Sequence, residues 1–221
     1  VATPRTGVGV AIFDLDGTIT FHDTLVPYLF HVLRHHPARS LGLWRVPIAL
    51  GRFAFDRDRG HLKASLIQGL MGGLSRAEVH ALTRSFLDER LSALCRRTAL
   101  AAIEAHRATG DHLVLLSAST DFYVPDIGRR LGFDEVYCTE VRWNGDRLDG
   151  RLASENRRGA EKARVVERVR LGHPGHSIAA YGNSSSDFDH LLVVEAPLVV
   201  NASATTRRRA QQLGLPVADW S

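Results

Sequence analysis

Val8-Gly9-Val10-Ala11-Ile12-Phe13 runs without a break into Asp14-Leu15-Asp16-Gly17-Thr18. A short run rich in branched apolar residues that stops abruptly at a polar loop reads as a parallel strand buried on both faces, delivering the loop at its C-terminal end. Runs of the same kind recur at His112–Leu116, Glu135–Thr139, Ser177–Tyr181 and Pro197–Asn201. Helical stretches separate them, at Thr98–Thr109, Asp121–Leu131, Ala160–Leu171 and Ser185–Val193. Strands alternating with helices predict an α/β fold with a doubly wound parallel sheet. Ligands in such sheets bind beyond the carboxyl ends of the strands. Asn144-Gly145, inside Val141–Leu152, signals a hairpin.

Between residues 20 and 96 no strand candidate appears. Arg76–Cys95 carries Val79, Leu82, Phe86, Leu87, Leu91 and Leu94 on one helical face. The expected organisation is a core of residues 1–19 and 97–221, with residues 20–96 inserted as an all-helical cap over the active end of the sheet. The 221 residues suffice for a core carrying a smaller insertion, and 44% hydrophobic with 24% charged residues is ordinary for a globular protein. No apolar run is long enough to span a bilayer, and Val1–Gly9 lacks the apolar stretch of a secretory signal. With Cys95 and Cys138 far apart and outside any metal-type spacing, two reduced thiols in a cytoplasmic protein are expected, a single disulfide being the alternative.

A net charge of +4 suits an anionic substrate, but the positive charge is scattered and no basic–aromatic ladder for nucleic acid is present. Of 28 basic residues only Lys63 and Lys162 are lysines. Both could be chance survivors; alternatively, these two positions require a compact ammonium on a flexible stem where a planar guanidinium would not serve.

Asp14 and Asp16 leave the end of the first strand two residues apart. Such a pair can be a plain turn or cap. It can equally hold Mg²⁺ through hard oxygen ligands, one carboxylate attacking phosphorus and the other moving a proton at the leaving oxygen. Ser117 and the N–H groups near it, after the second strand, are either a helix cap or donors to phosphoryl oxygens. Lys162 opens a helix, where the dipole disfavours a cation, so it is a surface lysine or one recruited by phosphate. Asn183 and Asp187, within Gly182-Asn-Ser-Ser-Ser-Asp187, follow another strand and form a turn or a metal loop. Each is weak alone; four such features at four strand ends are specific.

Phe13-Asp14-Leu15-Asp16-Gly17-Thr18 resembles the first motif of the haloacid dehalogenase (HAD) superfamily. Ser117, Lys162 and Tyr181–Asp187 resemble its second, third and fourth motifs in order, and the helical insertion resembles the phosphoserine-phosphatase-like branch. The resemblance implies a HAD-like Rossmannoid core and an Mg²⁺-dependent phosphatase in which Asp14 becomes phosphorylated and Asp16 is general acid, then base. It further implies that Ser117, Ala118 and Lys162 bind the phosphoryl group, and that Asp14, Asp16 (through its carbonyl), Asn183 and Asp187 hold the metal. Phosphoserine phosphatases place glutamate near the position of Asp23 and an arginine near that of Lys63, making these two the expected substrate-binding residues. Here both differ, and Asn183 stands where an acid is usual.

The expected substrate is therefore a small phosphomonoester or a lipid phosphate. Tyr28–Phe55 mixes Leu29, Phe30, Leu41, Leu43, Trp44, Ile48, Leu50, Phe53 and Phe55 with Arg34, Arg39, Arg45 and Arg52. That is either cap core with snorkelling arginines or a segment that lies at an anionic membrane surface, similar to the hydrophobic cap of the phosphatidylglycerophosphate phosphatases. A phosphotransferase or phosphonatase of the same fold and a non-catalytic phosphoryl-binding regulator are the alternatives. The missing second cap lysine argues against the phosphonatase, and the intact Asp14, Asp16, Ser117 and Lys162 against the regulator.

Overall fold

A computed structural model describes residues 9–44, 47–48, 50–51, 54 and 58–220. Val8, Arg45, Arg52, Phe53 and Phe55 of the sequence expectations lie outside the described residues. Strand β1 (Val10–Phe13) is fully buried and pairs in parallel with β2 (His112–Thr120) on one side and β6 (Ile178–Gly182) on the other. Strands β3 (Glu135–Thr139), β7 (Ala196–Val200) and β8 (Val217–Ala218) complete a six-stranded parallel sheet of order β3-β2-β1-β6-β7-β8. The alternation of a strand sends Val10 and Ile12 to one face, against Val165, Val166 and Val169, and Ala11 and Phe13 to the other. Strand β2 runs beyond the expected Leu116 to Thr120, with a shift in its pairing to β3 between Leu116 and Thr120. The expected helix at Ser185–Val193 is instead a tight turn, Ser185–Asp187, followed by α7 (Phe188–Leu191).

The connections of the sheet are α4 (Arg97–Ala108), α5 (Val124–Leu131), α6 (Ala160–Gly172) and α8 (Ala204–Gln212). The last helix and β8 are polar or very short, so their periodicity is faint in the sequence. The antiparallel hairpin of β4 (Val141–Asn144) and β5 (Arg147–Leu152) is present, but its two turn residues are Gly145-Asp146, one position beyond the expected Asn144-Gly145, because Asn144 pairs with Arg147. Both cysteines are unpaired, and no helix among the described residues is long and apolar enough to cross a membrane.

The helical insertion contains α1 (Leu25–His35), α2 (Arg59–Met71) and α3 (Arg76–Leu94), the last opened by a capping box of Ser75 and Glu78. Its two ends meet at a bridge between Thr20 and Cys95, flanked by hydrogen bonds from Phe21 N to Leu94 O and from Arg96 N to Ile19 O. Its apolar side chains are continuous with one face of the sheet. Tyr28 stacks on Tyr123 at 5.1 Å and meets Phe86 edge-on, while its hydroxyl bonds Thr83, which donates to Phe122 O. The hairpin is also tied to the insertion, through Gly73 N to Leu148 O and Leu148 N to Leu74 O.

Gly150 marks the closest approach of hairpin and insertion. Its φ is +87°, and a Cβ there would lie 2.7 Å from the backbone N and Cα of Gln68. Both the backbone conformation and the space demand glycine. Gly150→Ala is therefore expected to cost about 1–3 kcal/mol of stability, read as a lowered denaturation midpoint in urea.

Candidate active site

Beyond the carboxyl end of β1 the chain makes one wide turn, closed by Thr20 N donating to Leu15 O, with Gly17 at φ +84°. A Cβ on Gly17 would fall 2.0 Å from Asn183 Nδ2 and turn that amide out of place, and the positive φ itself favours glycine here. The turn presents Asp14 and Asp16 to a cavity of about 340 Å³. Asp23, Asn183 and Asp187 line it from the loops, Ala118 and Ser119 from the end of β2, Lys63 and Lys162 from α2 and α6, and Leu25, Val26, Leu62 and Leu66 from the insertion. A larger, more open cleft of about 780 Å³ between α2 and the hairpin holds arginines but no carboxylate pair facing a lysine, so the smaller cavity is the chemical one.

Lys162 is 1% exposed and donates from Nζ to Asp14 Oδ1 and Asp187 Oδ1, both at 2.6 Å. The two carboxylates share that one ammonium unequally. Asp187 Oδ2 also accepts from Asn183 N, Ser184 N and Ser184 Oγ at 2.9–3.1 Å, whereas Asp14 Oδ2 accepts only from Thr18 Oγ1. Burial opposes ionisation of both, but Lys162 and this donor cradle hold Asp187 well below the usual range. Burial, only partly offset by Lys162 and reinforced by the Asp187 charge, raises Asp14 to about 7. Lys162 itself is pushed above its ordinary value, since the two carboxylates outweigh the penalty of burial.

Asp16 is anchored differently. Its Oδ1 accepts from the backbone and hydroxyl of Thr24, both at 2.7 Å, and its Oδ2 from Ser119 Oγ at 2.6 Å. Burial, with the nearby Asp23 charge, raises its pKa. Asp23 lines the cavity but also caps α1, accepting from Leu25 N and Val26 N. Lys63 crosses from the insertion to donate to Ala118 O and to Asn156 Oδ1; burial lowers it to about 8 despite the Asp16 and Asp23 charges.

Ser117 is fully buried, and its hydroxyl accepts from Ser119 N; the cavity wall is formed by Ala118 and Ser119, the next residues of the strand. The sequence reading passed over Thr18, Thr24 and Asn156. Thr18 stood inside the quoted motif, whereas nothing in the spacing of Thr24 or Asn156 announced a contact.

Asp14, Asp16, Asn183, Asp187 and the two lysines thus share one cavity, and the sequence profile of the haloacid dehalogenase-like hydrolases matches residues 11–191. The chain belongs to that family and is a hydrolase of it. Among its relatives is Protein CicA of Caulobacter vibrioides, 34% identical over 83% of this chain and 82% of that protein. A Bordetella pertussis protein of unknown function superposes with a TM-score of 0.80 at 23% identity, covering 97% of this chain and 99% of that one. A substrate-bound phosphoserine phosphatase superposes with 0.66 at 14% identity, covering 93% and 91%, and so shares the fold.

The raised Asp14 gives a pH test. Between its ordinary 3.8 and about 7, folded Asp14 holds a proton that the unfolded chain has released. Stability of the metal-free protein therefore falls as pH rises through that window. In chelator, Asp14→Asn is expected to melt above the wild type near pH 8, the gap closing towards about pH 4; thermal denaturation across pH measures it.

Proposed function

We propose that the chain is an Mg²⁺-dependent phosphomonoester hydrolase with Asp14 as nucleophile. The supporting observation is that two carboxyl groups from one turn face one cavity and are held by different partners. Burial raises both, but Asp14 lies against the Lys162 ammonium, while Asp16 is held by Thr24 and Ser119. The carboxyl beside the cation that would neutralise a phosphoryl group is the proposed nucleophile, and the one held by neutral hydroxyls the proposed proton carrier.

In the first step an Asp14 oxygen bonds to phosphorus as the ester bond breaks, and Asp16 gives its proton to the departing oxygen. In the second, water attacks the aspartyl-phosphate, Asp16 takes the water's proton, and Asp14 leaves as carboxylate. Lys162 neutralises the phosphoryl oxygens and the N–H of Ala118, in the cavity wall, orients them, while the expected Ser117 is buried behind that wall and holds Ser119 N instead.

Magnesium fits the donor set. Asp14, Asp16, Asp23 and Asp187 outnumber Lys63, Lys162 and Arg158 in the cavity wall, and burial raises Asp14 despite its contact with Lys162. Asp14, Asp187, Asn183 and the Asp16 carbonyl are the hard oxygens that would hold the ion. When bound, it supplies charge that keeps Asp14 ionised and offsets the phosphoryl negative charge. Asn183 brings no charge, which weakens the site relative to an acid.

Asp23 and Lys63 are the proposed substrate-reading pair, and a small phosphorylated metabolite is the proposed substrate. One observation favours a lipid phosphate as a second reading: Phe30, Leu41, Trp44 and Ile48 of the insertion are 62–80% exposed, and Arg34 follows Phe30 by one turn of α1. Exposed apolar side chains with a cation nearby suit peripheral contact with an anionic bilayer.

Two outcomes are expected. Asp14→Asn abolishes Mg²⁺-dependent turnover of p-nitrophenyl phosphate, and beryllofluoride inactivates the wild type; appreciable turnover by the folded variant rules the mechanism out. Because Lys63 loses its charge above about pH 8 in the free enzyme, kcat/KM for an anionic substrate falls there. Lys63→Arg removes that alkaline limb and reorders rates among substrates; an unchanged limb would place the titrating group elsewhere.

A further inference from the structure

The opposite end of the sheet carries a second cluster. His112 opens β2, Glu135 opens β3, and His173 follows the last turn of α6, in His173-Pro174-Gly175-His176. All sit beside a cleft of about 500 Å³ or on its rim. Lys162 lies near the other end of α6, whose 13 residues span roughly 20 Å. The cluster is therefore separate from the catalytic cavity.

His112 Nε2 lies 3.0 Å, and His173 Nε2 3.6 Å, from the same oxygen, Glu135 Oε1. The three ligand atoms fall within 4.8 Å of one another, and the two rings are 4.3 Å apart. Tetrahedral zinc, with bonds of about 2.0–2.1 Å to nitrogen and oxygen, needs ligand atoms roughly 3.3–3.4 Å apart. The two distances to Glu135 bracket that value and the imidazole nitrogens lie within 4.8 Å of each other, so side-chain rotations that bring the two rings onto one point complete the geometry.

The surroundings are those of a built site. Tyr137 donates to Glu135 Oε2 at 2.6 Å and leaves Oε1 to the imidazoles. His112 has its other nitrogen, Nδ1, 3.7 Å from Asp134 Oδ2, beyond hydrogen-bond distance but close enough for that carboxylate to orient the ring after a small rotation. His176, whose ring is 5.9 Å from that of His173, has a buried Nδ1 with no hydrogen-bond partner. Arg107, the cationic side chain lining the cleft, is engaged by Glu104 and the carbonyls of Leu131 and Gly132.

A second histidine–glutamate group, His31, His35 and Glu89, fits less well. Arg34 lies 3.6 Å from the Glu89 oxygen that would bind the ion.

We propose that His112, Glu135 and His173 form a structural site for Zn²⁺ that fastens the N-terminal ends of β2 and β3 to the C-terminal end of α6. Two imidazoles and one carboxylate select a late first-row cation over magnesium. The fourth position falls to water or to His176.

The test is calorimetric titration of the chelator-treated full chain with Zn²⁺, in excess Mg²⁺ to occupy the carboxylates of the catalytic cavity. One equivalent is expected to bind and to raise the Tm. His112→Gln and His173→Gln should each weaken binding by at least about tenfold, with His35→Gln unchanged. As a check independent of any variant, Zn²⁺ added to the wild type should shift the imidazole NMR signals of His112 and His173. Binding unaffected by the His112 and His173 substitutions, loss on His35→Gln alone, absence of a zinc site, or shifts confined to other histidines would each overturn the proposal.

Discussion

A single ammonium, on Lys162, sits between two buried carboxylates, and the active end of the sheet is organised around it. An unpaired buried charge costs several kcal/mol, and removing one partner from such a group is more damaging than replacing the whole set. The lysine comes from the start of α6, Asp14 from the end of β1 and Asp187 from the turn after β6. Each of those three elements must therefore end where it does. The register of β1 with β6 sets the distance, with Phe13 opposite Tyr181 and Asp14 N bonded to Tyr181 O. The stacking of those two rings at 4.5 Å supports the same register from one face of the sheet.

One ammonium cannot satisfy two carboxylates equally, and the surrounding donors decide the outcome. The turn after β6 points two N–H groups and a hydroxyl at Asp187, which holds its negative charge. Asp14 has one hydroxyl besides the lysine, and its pKa is raised to about 7. For the proposed nucleophile, fewer hydrogen bonds leave lone pairs free to attack once a cation keeps the carboxylate ionised. Asp16, bonded to side chains of both the insertion and β2, draws the insertion into the chemistry through Thr24. The aromatic cluster around Tyr28 and Tyr123 then fixes Thr24 in turn, through the Tyr123 hydroxyl at 3.0 Å.

The strand ends are legible in the sequence because a buried parallel strand is a continuous apolar run, and whatever polar residue ends it faces the ligand side. For that reason Asp14, Asp16, Asn183 and Asp187 can be picked out without coordinates. Ser117 shows the limit of the rule. The apolar run stops at Leu116, but backbone pairing continues to Thr120, so the side chains at the wall are one and two residues further on. Thr24 and Asn156 are invisible for another reason, since they arrive from distant segments through tertiary packing that no local pattern encodes. Strand β8, two residues long, and α8, polar around most of its circumference, give periodicity too little to act on.

Composition carried information that motifs did not. In a chain that uses arginine almost everywhere, both lysines reach the same cavity, one from the core and one from the insertion. Geometry supplies a reason. Lys162 places one nitrogen within 2.6 Å of two carboxylates from different loops, and Lys63 places one nitrogen against both a carbonyl and the Asn156 amide oxygen. An ammonium directs three donors from one point. A guanidinium spreads five donors over a plane that needs acceptors side by side. At Lys162 the acceptors come from different loops and meet at one point, which an ammonium satisfies and a planar fork matches less well. The two lysines thus stand where acceptors from separate elements converge, one in the core and one in the insertion.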